Sequence, residues 1–230
     1  INLNKISTKV KDQIDKTKTT ETSNPLTNDE VIRGLKEALS QGIEKGANKA
    51  SDLDGFLKND IIKLPFPPDA QKVKDKALQL GLDSKVEKFE EILNRSAEEA
   101  AKEAAPIFLS AIKNMSVQDG FSILKGGDNA ATNYLKKNTS EKLYNAFFPK
   151  VEAAINSVNL TSYWTPLTKA YNKTTFISGI EPINTDLNKY VTDRAISGLF
   201  VLIENEEKSI RKDPIARATD LLKKVFGSQD

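Results

Sequence analysis

The spacing of apolar residues constrains this chain most. Val86, Phe89, Leu93, Ala97, Ala100 and Ala104 recur every three or four residues, the period that lines one face of an α-helix. The same period runs through Val31, Leu35, Leu39 and Ile43, and through Val191, Ala195, Leu199, Leu202, Ile203 and Ile210. No segment alternates with period two over the length of a strand, so the chain reads as all-α. Start and stop signals divide it into a single globular multi-helix bundle of about nine or ten helices, several kinked at proline.

Those signals are local. Thr27 with Glu30, and Ser84 with Glu87, have the spacing of capping boxes. Ser116, Asp128 or Asn129, and Thr139 or Ser140 are expected to cap further helices, and Thr165-Pro166 and Asp213-Pro214 to open two more. Pro65, Pro67 and Pro68 force an extended stretch, because each proline pushes its predecessor out of the helical region. Gly81, Gly126-Gly127 and Gly227 are stops, and Pro106 and Pro149 are expected kinks or restarts. Gly34, Ala38, Gly42, Gly46 and Ala50 form a ridge of small residues beside the first apolar stripe. Each helical glycine costs about 1 kcal/mol relative to alanine, so a second backbone is expected to pack close there.

Two regions follow from this reading. Residues 1–26 are an arm: Leu3, Ile6, Val10 and Ile14 suit a short amphipathic segment, and a polar, threonine-rich linker follows. Residues 27–230 are the helical domain. Ile1 rather than Met opens the chain, so trimming is expected, with any signal peptide or lipidation site upstream.

Composition excludes several chemistries. The 230 residues contain no cysteine and no histidine, which removes disulfides, thiolate nucleophiles, Cys/His zinc sites and histidine bases. A net charge of +2, with lysines dispersed among acids, lacks the clustered excess of a nucleic-acid footprint. No run of about 18 apolar residues is present to span a bilayer. KGGDNAAT (125–132) lacks P-loop spacing and reads as a helix–helix turn. SDLDGFLKND (51–60) lacks calcium-loop spacing, so no metal site and no cofactor are expected.

GLKEAL (34–39), NRSAEEA (94–100), PIF (106–108), AIKNMSVQDGFSILKGGDNAATNYL (111–135), YVTDRAISGLF (190–200), EEKSIRKDPIAR (206–217) and LLKKVFG (221–227) occur in that order. Together they resemble the bacterial domain-of-unknown-function family 4197 over about residues 27–227. Gly120 stands where the family pattern has alanine, and the LPFPP stretch is richer in proline. The resemblance implies an all-helical domain exported in Gram-negative bacteria, in the periplasm or outer membrane, often as a lipoprotein. It implies no activity.

Arginine is rare here, five residues among 34 basic ones, so its positions carry information. Helical phasing puts Glu206 in the middle of the last apolar face, where a carboxylate needs a partner. A buried ion pair is expected between Glu206 and Arg217, Arg33 or Arg95, because guanidinium stays charged and offers a fork of donors. Its expected role is a structural clasp. Glu207 and Arg211 fall at the edge of that face and are expected to form a surface i, i+4 pair, so Glu206→Gln should disturb stability more than Glu207→Gln. Glu91, Arg95 and Glu99 are expected to form a solvated ladder.

Phe147, Phe148, Tyr163, Trp164, Tyr171 and Phe176 gather in one region and are candidate pocket-lining residues if helices splay at the kinks. The leading functional expectation is non-catalytic binding of an apolar, lipid-like or amphipathic small molecule between helices. The alternative is a protein-interaction or scaffolding module with an envelope protein partner, and the third is a carboxylate-based hydrolase. No nucleic acid partner is expected, and membrane contact only through an anchor upstream of Ile1.

Overall fold

The computed structural model describes residues 27–79, 81–157, 164, 186–213, 223 and 225. They form α1 (Asn28–Ser51), a 3-10 turn (Pro68–Ala70), α2 (Gln71–Gln79), α3 (Asp83–Ala101), α4 (Ala104–Lys113), α5 (Val117–Leu124), α6 (Ala130–Ser157) and α7 (Leu187–Lys212). No strand occurs among the described residues, and the fold is all-α. The arm 1–26 and the helices expected after Thr165 and Asp213 lie outside them, so the expected nine or ten helices are not reached there.

Local chemistry explains most of the boundaries. The Thr27 hydroxyl accepts from the Glu30 N–H at 3.3 Å, while the Glu30 carboxylate accepts from the Thr27 N–H at 2.8 Å. Ser116 and Asp119 repeat this box at the start of α5. The box expected at Ser84 and Glu87 does not form. Gly81, at φ +71°, turns the chain so that α3 begins at Asp83, and the N–H groups of Lys85 and Val86 reach the Leu82 carbonyl instead. Pro106 falls in the first turn of α4, where its missing N–H had no helical partner to lose.

Thr139 and Ser140 start no helix. Their hydroxyls donate to the Leu135 and Lys136 carbonyls, each at 2.6 Å. That four-back bond lets a hydroxyl residue sit inside a helix, and α6 continues through Pro149 to Ser157.

α7 lies at the centre, packed on α6, α1 and α3. The small-residue ridge of α1 faces it. A methyl added at Gly46 would lie 3.7 Å from the Ile203 backbone nitrogen, and one at Gly42 would lie 3.4 Å from Ile210 Cδ1. Gly42 therefore meets residue 210 and Gly46 meets residue 203, so the two helices run antiparallel at close backbone distance. Because neighbours surround α7 on three sides, its buried face is wider than one stripe: Val191, Ala195 and Leu199 are buried, and so are Ile196, Phe200 and Glu207.

Candidate functional site

Between α1 and the 3-10 turn the chain runs through loop 52–67. Its first part is a succession of turns, with Gly55 N–H on the Asp52 carbonyl (2.9 Å), Lys58 on Asp54 (3.2 Å) and Ile62 on Asn59 (3.1 Å). A backbone of this kind has few partners of its own, and α3 supplies them. Asn94, fully buried, accepts from the Leu64 N–H at 2.8 Å and donates to the Leu64 carbonyl at 2.9 Å and the Glu90 carbonyl at 2.8 Å. Glu98, 5% exposed, accepts from the N–H groups of Phe56 and Leu57, both at 3.1 Å, on one oxygen. Its other oxygen takes Arg95 Nη1 at 2.7 Å.

Arg95 then reaches Asp54 through Nη2 at 2.7 Å, and Lys58 Nζ lies 2.8 Å from the same carboxylate. Lys58 first, then Arg95, hold the Asp54 carboxyl below its ordinary range. Asp54 sits at φ +69°, a left-handed backbone that aspartate tolerates better than most residues. At the far end Tyr190 of α7 donates its hydroxyl to the Pro65 carbonyl at 3.0 Å. Every charge and amide named here has a partner, which is what makes burying Asn94 and Glu98 tolerable.

Small residues make the approach possible. Ser96, Ala97, Ala100 and Ala101 of α3 are buried with Asn94 and Glu98. Gly55 is pressed against the end of α1, where a methyl would collide with the Lys49 carbonyl oxygen and lie 2.7 Å from that of Ala50. Gly198 of α7 backs onto the loop from the other side, and a methyl there would lie 3.0 Å from the Phe56 ring and 3.1 Å from Ile62 Cβ. The solvated Glu91–Arg95–Glu99 ladder is replaced by this arrangement: Glu91 pairs with Lys88 and Glu99 with Lys102. The sequence signal for it was Asn94 and Glu98 at i, i+4, each directly following a stripe residue in an alanine-rich stretch.

The second polar cluster reverses the expectation for the last helix. Glu207, not Glu206, points into the protein and is 6% exposed. Its oxygens accept from the N–H of Ala131 at 2.9 Å and from the N–H and hydroxyl of Thr132, both at 2.8 Å. Arg211 Nε lies 3.0 Å from Glu207 and Nη2 donates to the Ile123 carbonyl at 2.8 Å. The 207–211 pair is therefore a buried ion pair capping the amino end of α6, where the helix dipole favours a carboxylate. Glu206 packs its Cβ over Gly42 and turns outward to Lys45 at 2.6 Å, a lysine 68% exposed. Among the described residues its partner is no arginine: Arg33 is exposed and Arg95 serves Asp54 and Glu98, while Arg217 lies outside them. The KGGDNAAT turn thus does meet an anion, one from its own chain.

The candidate pocket aromatics do not converge where they are described. Phe147 is fully buried in the core, Phe148 stacks on Tyr144 at 5.7 Å, and Trp164 packs with Phe66 and Phe89 at 5.7 and 5.1 Å. Tyr163, Tyr171 and Phe176 lie outside the described residues. A space within the core, beside Leu35, Leu39, Glu207 and Arg211, holds about 10 Å3, at the lower limit for one water. The larger spaces are at the surface. One of about 170 Å3 lies by Pro67, Tyr190 and Arg194, and an open depression of about 500 Å3 is formed by loop 52–67 itself. Leu53 and Ile61 border that depression and are 78% and 64% exposed. Among the described residues no three carboxylates group as metal ligands, and no helix is long and apolar enough to cross a membrane.

A family model described as protein of unknown function (DUF4197) matches residues 25–227, most of the chain and all of the helices above. The chain belongs to this family. No curated protein and no solved structure matches it. In this DUF4197 chain, NRSAEEA supplies the residues that bind loop 52–67, and EEKSIRKDPIAR supplies the Glu207–Arg211 pair on the turn preceding α6. Gly120 faces Ile32: an added methyl would displace Ile32 Cδ1.

Proposed function

We propose that this domain is a non-catalytic protein-interaction module whose recognition element is loop 52–67. One observation carries the reading: α3 commits the buried side chains of Asn94 and Glu98 to the backbone of an irregular loop that buries Phe56, Ile62, Leu64 and Phe66 yet leaves Leu53 and Ile61 facing solvent. Loops longer than about 12–15 residues without regular structure are uncommon in compact domains and are usually functional. Holding such a loop in one shape before binding lowers the ordering cost when a partner arrives. The left-handed backbone at Asp54 is a further local cost concentrated at this site.

The small-molecule reading draws less support from the described residues, because their core is filled around Phe147 and Trp164. The hydrolase reading draws less again, because both buried carboxylates, Glu98 and Glu207, are engaged by backbone N–H groups and arginine. Placement in the periplasm or outer membrane, with an envelope protein as partner, rests on the family resemblance.

A photo-crosslinking residue placed at Leu53 or Ile61 in the native host tests the reading. The expected result is one discrete adduct from both positions, absent when the same residue replaces exposed Lys142 on α6 and lost in the Glu98→Ala background. No adduct, or the same adducts from position 142, overturns it.

A further inference from the structure

The depression bordered by Leu53 and Ile61 limits the kind of partner it can take. We infer that its occupant is a short amphipathic segment of a partner protein, carrying apolar anchors beside a basic residue, and neither a second copy of this chain nor a broad folded surface. The inference rests on the reading of loop 52–67 as an interaction element.

Area decides first. Leu53 and Ile61, at 78% and 64% exposure, present on the order of 200–300 Å2 of apolar surface, whereas a stable interface buries about 800 Å2 per partner. A dimer built on this patch would be far too small to persist. The depression of about 500 Å3 is open to solvent rather than enclosing, so it offers a shallow seat for a few side chains of a linear segment.

Charge decides second. Lys58 in the lining is already paired with Asp54, and Asp54 also holds Arg95. Lys49, Asp52 and Asp60 line the depression too and make no ion pair among the described residues. Two free carboxylates against one free ammonium leave a local negative excess, which favours a basic residue flanking the anchors. The loop meanwhile has its shape set by Asn94 and Glu98, so a flexible segment bears the ordering cost and the complex is weak and reversible.

The test is selection of a random twelve-residue peptide library on the full chain, with counter-selection on the Leu53→Asp variant. Selected peptides are expected to share two apolar positions beside Lys or Arg and to bind in the micromolar range by fluorescence anisotropy. Leu53→Asp and Ile61→Asp should each weaken binding about tenfold or more, and Lys142→Ala should leave it unchanged. Circular dichroism on each variant confirms that the exposed substitutions leave the fold intact. Peptides that bind equally to the Leu53→Asp variant, or no enrichment at all, overturn the inference. If crosslinks still form at position 53 in that case, only the short-segment inference fails; if they do not, the interaction reading fails as well.

Discussion

Glu207 caps the amino end of α6 across the bundle, its carboxylate oxygen 2.8 Å from both the backbone nitrogen and the hydroxyl of Thr132. The bond joins residues 75 positions apart. It makes the last long helix a strut that finishes the helix begun at Ala130, and Arg211 neutralises it from the same side. A carboxylate in this position is costly to lose, because its removal takes the acceptor from two buried N–H groups and the counter-charge from a guanidinium only 12% exposed.

Glu207→Gln should therefore destabilise the domain by about 3–5 kcal/mol, the cost of breaking a buried ion pair. Glu206→Gln, which releases only the exposed Lys45, should cost under about 1 kcal/mol. Urea denaturation of the two variants checks the order, which is the reverse of the one expected from helical phasing. Equal midpoints would contradict the geometry.

Asn94→Ala removes one acceptor and one donor from the loop's backbone at Leu64, and a second donor from the Glu90 carbonyl within α3. We expect a loss of about 2–4 kcal/mol, from unpaired buried amides plus a cavity. The loss should be local: amide exchange should accelerate most at Leu64, while Ala131 on the far side of the bundle stays protected. Uniform acceleration would mean that the loop is not held separately.

Thr192 offers a contrasting case, since its buried hydroxyl has no hydrogen-bond partner among the described residues. Thr192→Val keeps the shape and removes the unsatisfied group, so the melting temperature should stay level or rise, by up to about 1 kcal/mol of stability. A clear destabilisation would reveal a partner for that hydroxyl.

Gly120 and Ile32 should be coupled. Gly120→Ala alone needs Ile32 Cδ1 to move aside, whereas Ile32→Val removes that atom and opens room for the methyl. A double-mutant cycle should give a favourable interaction of about 0.5–2 kcal/mol. Strict additivity would show that the two positions do not share the space.

Acid should loosen the Asp54 corner. Its carboxyl titrates below its ordinary value of 3.8 because of Lys58 first and Arg95 second. Stability from those contacts is fully present above pH 3.8 and fades as pH falls through the lower, folded-state value. Carboxyl NMR titration should place the Asp54 midpoint below 3.8 and show it rising in Lys58→Ala. A midpoint unmoved by that substitution would detach Asp54 from Lys58.

Local order carried most of the helix boundaries. Thr27 with Glu30, Ser116 with Asp119, Gly81, and the spacing of Val86, Phe89, Leu93 and Ala97 act within one or two helical turns, so the chain by itself determines them. The glycine ridge of α1 was legible for the same reason, because helical glycines signal a close neighbour without naming it. The Ser84 box and the Thr139 start were misleading, since a competing turn at Gly81 and a four-back hydroxyl bond satisfy the same groups otherwise.

The polar sites needed tertiary structure. Phasing treats a helix as having one buried stripe, and α7 is surrounded on three sides, so Glu207 at the stripe's edge is buried, while Glu206 near its middle, 16% exposed, runs past Gly42 to the exposed Lys45. Asn94 and Glu98 flank the apolar stripe of α3, and only loop 52–67 lying against them engages both in the interior. Sequence alone determined that this chain is helical, where most of its helices begin and end, and which chemistries it lacks. Which carboxylate is buried, and which loop is held against α3, depended on partners 30 to 76 residues away, and no local pattern encodes a distance of that kind.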